Sequence, residues 1–196
     1  MLMIRIIKKY WIYFLLTVVI VIYYFSLPLR IFNDPYSTII NDKNGNLLSA
    51  SIASDGQWRF PLSTQVPEKF KQAIVLLEDK RFYNHPGVDM LSIARAVRQN
   101  IAAGRVISGG STLTMQVMRM SRKNKPRNLF QKITEVVLAT RLELRYSKEE
   151  ILNLYATHAP FGGNVVGLEA ACWRFFGRTP RRAQLVRGCT PRSSPK

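Results

Sequence analysis

Residues 70–87 read FKQAIVLLEDKRFYNHPG. Phe70, Ala73, Ile74 and Leu77 recur at helical spacing, and Pro67 is suited to the first helical position. The run therefore predicts a helix that delivers Glu78 and Asp79 at its C-terminal end. Two carboxylates there oppose the helix dipole, a cost that makes a purely structural purpose less attractive. A second polar block follows at residues 109–116, GGSTLTMQ, with backbone amides and three hydroxyls. A carboxylate near an array of donors can deprotonate one group while holding an anion. Taken singly, each block has an ordinary reading: a glutamate at a helix end is usually solvated, and Ser111 or Thr112 is most often a cap.

Working outward, the pattern stays helical. Asp89 is placed to cap a helix whose buried stripe would be Ile93, Ala96, Val97 and Ile101, with Gly104 ending it. Thr112 to Met120 suits a short helix opened by the Gly109-Gly110-Ser111 turn. Residues 124–127, with Pro126, read as a basic loop. A longer helix is expected from about Leu129 to Arg145, with Ile133, Val136, Val137 and Thr140 inward. On it Lys132 and Glu135, three apart, are neighbours on one face. Ser147 and Glu150 form a capping box for a helix containing Ile151, Leu152 and Tyr155. Residues 161–164 read as a loop, and Leu168 to Phe176 as a last helix closed by Gly177. Upstream, Asp42 to Asn46 is a turn signal between apolar runs, which predicts a hairpin. The domain is mainly α, with no βαβ rhythm.

At 196 residues the chain supports one domain and a short appendage, and an apolar share of 47% excludes wholesale disorder. Its charge is unusual: 29 basic against 12 acidic residues, a formal +17. Such a field favours polyanions: nucleic acid, anionic lipid or phosphate-bearing substrates. The N-terminus chooses among them. No charge falls between Tyr10 and Leu29, about 20 residues that as a helix span roughly 30 Å, a bilayer's hydrocarbon thickness. Arg5, Lys8 and Lys9 precede the run, which keeps the N-terminus cytoplasmic and sends the remainder outward. The expected organisation is a cytoplasmic tail at 1–9, a transmembrane anchor at 10–29, a stalk with short strands at 30–65, a catalytic domain at 66–178 and a basic tail at 179–196. Export counts against nucleic acid as a partner and favours anionic lipid or a lipid-linked phosphate. Cys172 reads as a packed apolar residue, and with Cys189 it matches no metal spacing. Tyr155 and Trp173 read as core.

The first block resembles the Glu-Asp-x-x-Phe-x-x-His-x-Gly motif of the family 51 peptidoglycan glycosyltransferases, the glycan-polymerising domain of class A penicillin-binding proteins. It is matched at Glu78, Asp79, Phe82, His85 and Gly87. The second is similar to that family's Gly-x-Ser-Thr-x-Thr-x-Gln motif, at Gly110, Ser111, Thr112, Thr114 and Gln116. Arg-Lys-x-x-Glu is met by Lys132 and Glu135, with Gln131 where arginine is usual. Lys-x-x-Ile-Leu-Glu-x-Tyr is met by Lys148, Ile151, Leu152 and Tyr155, with Asn153 replacing the glutamate. Gly167, Ala170, Ala171, Phe176 and Gly177 resemble the closing segment. The likeness runs in order from about residue 35 to 178, and residues 159–164, APFGGN, look most like the 1C branch.

The resemblance implies a lysozyme-like glycosyltransferase domain behind one N-terminal transmembrane helix, on the outer face of the bacterial cytoplasmic membrane. It implies polymerisation of lipid II into β-1,4-linked glycan, with inversion and release of undecaprenyl diphosphate. Glu78 would be the base and Glu135 the second catalytic carboxylate. Ser111, Thr112, Thr114, Gln116, Lys132, Arg141 and Lys148 would bind substrate or diphosphate. Asp79, Phe82, His85, Gly87 and Gly110 would organise the site. A divalent cation, Mg or Mn, is left open as a cofactor. The expected partners are lipid II, the growing lipid-linked glycan, the membrane and other cell-wall synthesis proteins. Two rivals are a glycan-cleaving muramidase or lytic transglycosylase, and an inactive anchored fragment. The second rests on the abrupt change at the basic tail and on the absence of transpeptidase motifs in context.

Overall fold

In a computed structural model, residues 2–61, 66–123, 128–177 and 180 are described, with side chains of the first helix from Tyr10 onward. The expected basic loop at 124–127, the end of the stalk at 62–65 and, apart from Pro180, the tail at 179–196 with Cys189 lie outside the described residues.

The first helix, α1, runs Leu2–Phe25. It stops four residues short of the expected anchor's end because Pro28 disfavours helical geometry at Leu27, and the Ser26 hydroxyl instead donates to the Tyr23 carbonyl. Among the described residues no helix is long and apolar enough to cross a membrane. The C-terminal end of α1 is tied to the domain by cations. Arg141 Nε donates to the Tyr24 carbonyl at 3.1 Å, and Arg145 donates to the carbonyls of Pro28 and Leu29, both at 3.1 Å. At Tyr24, in the last turn of α1, such a basic group satisfies both hydrogen bonding and the helix dipole.

The hairpin forms as expected. Strands β1 (Thr38–Asn41) and β2 (Leu47–Ser51) pair antiparallel, and the Asp42 carboxylate accepts from the Asn44 and Asn46 amides to close the turn. Helix α2 occupies Glu68–Glu78, with Pro67 one residue ahead of it, and buries Phe70, Ile74 and Val75. A 3₁₀ turn at Phe82–Asn84 follows. Helix α3 spans Met90–Ala103; Asp89 caps it by accepting from the Ser92 amide, and Gly104 closes it in the left-handed region.

Helix α4, Leu113–Ser121, is the centre of the domain, burying Leu113, Thr114, Met115, Val117 and Met118. Helix α5 (Leu129–Glu143) and helix α6 (Lys148–His158) pack on it. The capping box at Ser147 and Glu150 is present, and Ile151, Leu152 and Tyr155 are buried. Residues 160–166 are not a plain loop. Strands β4 (Pro160–Gly162) and β5 (Val165–Val166) pair antiparallel, and β5 also pairs in parallel with β3 (Trp58–Arg59). A pairing across more than a hundred residues leaves no local sequence signal. Helix α7, Leu168–Phe176, ends at Gly177 as expected and buries Cys172, while Trp173 packs on the core.

Two expected stripes are corrected. On α3 only Ala96 is buried; Val97 is 52% and Ile101 76% exposed. On α5 the buried residues are Leu138, Ala139 and Leu142, whereas Ile133 and Val137 are exposed. Periodicity identifies an apolar face, but which face finds a neighbour depends on where the helix lands.

Candidate active site

The site is assembled at the crossing of the C-terminal end of α2 and the N-terminal end of α4. Asp79 caps α2 and is buried. Its Oδ2 accepts from the Leu113 amide at 3.0 Å, and both its oxygens lie 3.1 Å from His85 Nε2. Leu113 is the first residue of α4, so the carboxylate that opposes the α2 dipole is offset by the positive end of another helix. Asp79 thereby ties the His85 segment to the start of α4. Phe82 is fully buried beneath them, edge-on to Tyr83 and His85.

Both motif glycines mark close approaches. At Gly87, where φ is +87°, a Cβ would lie 2.7 Å from the Ala139 carbonyl oxygen; at Gly110 it would lie 2.8 Å from Ile93 Cα. Neither backbone neighbour can yield, so α5 and α3 sit as near as they do only because these two side chains are absent.

Glu78 is partly exposed, and its Oε2 accepts from Gln116 Nε2 at 2.9 Å. It borders a cleft of about 620 Å³ whose other walls include Lys80, Arg81, Arg95, Gln99 and residues 108–112. Glu78 thus shares the cleft with Lys80, Arg81 and Arg95, with the carboxylates of Asp79 and Asp89, and with the loop carrying Gly109 and Gly110. Tyr155, underneath, is pushed above the ordinary phenol range by burial first and by the Glu78 charge second. Arg81 pairs with Asp89 through Nε at 2.9 Å and through Nη2. Burial pushes Asp89 up, but Ser92 and Arg81 outweigh it and bring its pKa down to about 2.

The second block divides. Ser111 lines the cleft, and Gln116 holds Glu78. Thr112 and Thr114 turn inward. The Thr112 hydroxyl accepts from the Met115 amide as the α4 cap and donates to the Gly87 carbonyl at 2.5 Å. The fully buried Thr114 donates to Glu143 Oε1 at 2.6 Å. Lys148 donates to the same Glu143 oxygen at 2.8 Å and to the His85 carbonyl at 2.7 Å, with its ammonium 4.4 Å from the centre of the Phe82 ring. Arg141 is engaged with Tyr24, donating to its carbonyl and lying over its ring. Lys132 and Glu135 lie in the N-terminal half of α5, both partly exposed, and are not among the residues that line the Glu78 cleft.

Sequence reasoning missed Glu143, whose buried carboxylate joins α4, α5 and α6. It also missed the cleft cations Lys80, Arg81 and Arg95. Lys80 and Arg81 sit inside the first block and were available to notice. Glu143 had no signal, because its partners are 29 residues away at Thr114 and, off the helical period, at Lys148. Among the described residues no group of three or more His, Cys, Asp or Glu converges on a point that could hold a metal ion.

A mainly helical domain thus holds Glu78 at the edge of a cleft that also carries Lys80, Arg81 and Arg95, placing a carboxylate and cations in one site. Residues 44–187 match the family described as Transglycosylase, and the chain belongs to that family, the glycosyltransferase domain of class A penicillin-binding proteins. It is 42% identical over 155 residues to penicillin-binding protein 1C of Escherichia coli (79% of this chain, 20% of that one). It is 34% identical over 161 residues to penicillin-binding protein 1F of Bacillus subtilis (82% and 22%), and 37% identical over 145 residues to penicillin-binding protein 1A/1B of the same organism (74% and 16%). The chain spans about a fifth of the length of these relatives.

Proposed function

We propose that the chain polymerises lipid II into β-1,4-linked glycan. The observation that carries this is Glu78, fixed by Gln116 at the edge of a cleft that also holds Lys80, Arg81, Arg95 and the 108–111 loop. The 4-hydroxyl of one lipid-linked disaccharide attacks the anomeric carbon of another. Its proton passes to Glu78, the bond from the anomeric carbon to the diphosphate oxygen breaks, and the configuration inverts. A positioned base of this kind is worth roughly 10²–10⁴-fold. Cations and amides arranged beforehand stabilise the departing diphosphate; Lys80, Arg81, Arg95 and Ser111 supply them in the cleft. Lys132 and Glu135 act from α5, the lysine on the diphosphate and the glutamate as its companion carboxylate. Thr112, Thr114 and Lys148 act indirectly, by holding α4 and the His85 segment in place.

We also place this activity at the membrane surface. Helix α1 is 24 residues long, about 36 Å at helical rise, and carries exposed apolar side chains from Tyr10 to Phe25. Leu76, Leu77, Val97, Ile101 and Val106 add exposed apolar surface on the catalytic domain. Large apolar side chains exposed in this number are what an interaction surface offers.

Purified chain supplied with lipid II, and separately with finished glycan, tests the reaction. Polymer lengthening from lipid II is expected, with a loss of 10²–10⁴-fold in Glu78→Gln. Cleavage of finished glycan, or equal output from the variant, would overturn the assignment.

A further inference from the structure

Ser108 to Ser111 form one wall of the Glu78 cleft, yet no residue from 105 to 112 lies in a helix or strand. A wall outside regular structure has to be held from elsewhere, and one side chain supplies most of the hold. Asn100, half-buried near the end of α3, makes three hydrogen bonds to the segment. Its Oδ1 accepts from the Ile107 amide at 2.8 Å and from the Ser108 amide at 2.9 Å. Its Nδ2 donates to the Ser108 carbonyl at 3.0 Å. Only an asparagine of this orientation meets two donors with one end of its carboxamide and an acceptor with the other. A second hold lies two residues on, at Gly110, where a Cβ would come within 2.8 Å of Ile93 Cα. Helix α3 thus fixes the segment at 107–108 and again at 110, with Gly109 between the two holds.

These bonds also aim a donor. The Ser108 carbonyl and the Gly109 amide are the two ends of one peptide plane, and in a trans peptide they point in opposite directions. With the carbonyl turned onto Asn100, the Gly109 N–H is directed away from it. Gly109 is exposed and lines the cleft, and among the described residues no acceptor meets its amide. A donor fixed in this way needs no reorganisation when an anion arrives, which is the property that makes preorganised amides effective. Lys80 and Arg95 border the same cleft, so the charge and the oriented dipole act on one ligand. Asn100 is not among the residues that line the cleft; it acts through the segment that it holds.

We propose that Asn100 is a positioning residue of the glycosyltransferase, turning the Gly109 amide onto the diphosphate of the bound lipid-linked sugar. The identity of that anion rests on the polymerase reading; the hold on the segment and the direction of the amide do not.

The test uses the full chain in detergent micelles with nitrogen-labelled glycine. A Gly109→Ala sample identifies the Gly109 signal, and the added Cβ would meet nothing within 4 Å. Inorganic pyrophosphate at constant ionic strength is the probe. It is expected to shift the Gly109 amide saturably and to slow its hydrogen exchange, a readout that needs no other variant. Asn100→Ala should raise the half-saturating concentration roughly fivefold to tenfold, about the worth of one oriented hydrogen bond. A purely structural Asn100 would instead lower the urea midpoint and leave the affinity of the folded chain unchanged. That result, or a Gly109 amide indifferent to pyrophosphate, would overturn the proposal. Glycan synthesis plays no part in the readout, so failure to lengthen lipid II would count against the polymerase reading alone.

Discussion

Helices α2 and α3 carry apolar residues at the same period but meet opposite fates. On α2, Phe70 and Ile74 are nearly inaccessible, and the chain that follows brings Phe82 to full burial. On α3, Val97 and Ile101 face outward. The difference is that α2 ends against α4: Asp79 binds the Leu113 amide, and the Glu78 carboxylate is held by Gln116. Helix α3 is drawn in only at Ala96 and by the close approach of Gly110 to Ile93. A shared pattern therefore built a buried floor in one place and an open apolar surface in the other.

That contrast can be broken most sharply at Phe82. Phe82→Ala is expected to cost about 3–5 kcal/mol in chemical denaturation, with the Glu78 cleft lost along with the fold; a cost below 1 kcal/mol would mean the floor is not packed as described. Acid provides the next largest effect. His158 is held neutral by burial and then by the Arg59 charge, with a pKa of about 4 against an ordinary 6.5, so the unfolded chain binds more protons between those values. Stability is full above about pH 6.5, falls as pH drops toward 4 and then levels, by up to about 3 kcal/mol in total. Urea midpoints followed across that range should show this limb, and His158→Phe should flatten it.

At the α4 end of the floor, Thr114→Val removes the donor to Glu143 and should cost about 1–3 kcal/mol, with KM for lipid II little changed. A large rise in KM with unchanged stability would show instead that Thr114 reaches substrate. The smallest stability effect belongs to α3. Ile101→Ser should change unfolding free energy by less than about 0.5 kcal/mol yet weaken co-sedimentation of the domain with anionic lipid vesicles. A destabilisation comparable to Phe82→Ala would show that α3 is core after all.

Much of this was legible because its physics closes within a few residues. The Asp89 cap, the Ser147–Glu150 box and the Asp42 turn each involve a side chain and a backbone group at most four positions away, and the Gly177 stop a backbone bond to Trp173, also four away. The first block was readable for the same reason, since Asp79 and His85 are six residues apart. The second block was readable as a unit but not residue by residue. Ser111 precedes α4 and lines the cleft, whereas the hydroxyls of Thr112, the cap, and Thr114, in the first turn, are taken up by the Gly87 carbonyl and Glu143. Arg141 could be recognised as a candidate binding cation, but not as a partner of the Tyr24 carbonyl 117 residues earlier.

By itself, then, the sequence determined the helices, their caps, the placing of Glu78 at a helix end and the ordered motifs that mark the family. Those properties depend on propensity, period and short-range hydrogen bonds. Only the tertiary structure decided which apolar faces are covered, that Glu143 ties Thr114 to Lys148, and that β3 pairs with β5. Each of these joins groups distant in the chain. No local rule specifies such contacts, because the free energy that selects them comes from packing the whole domain at once.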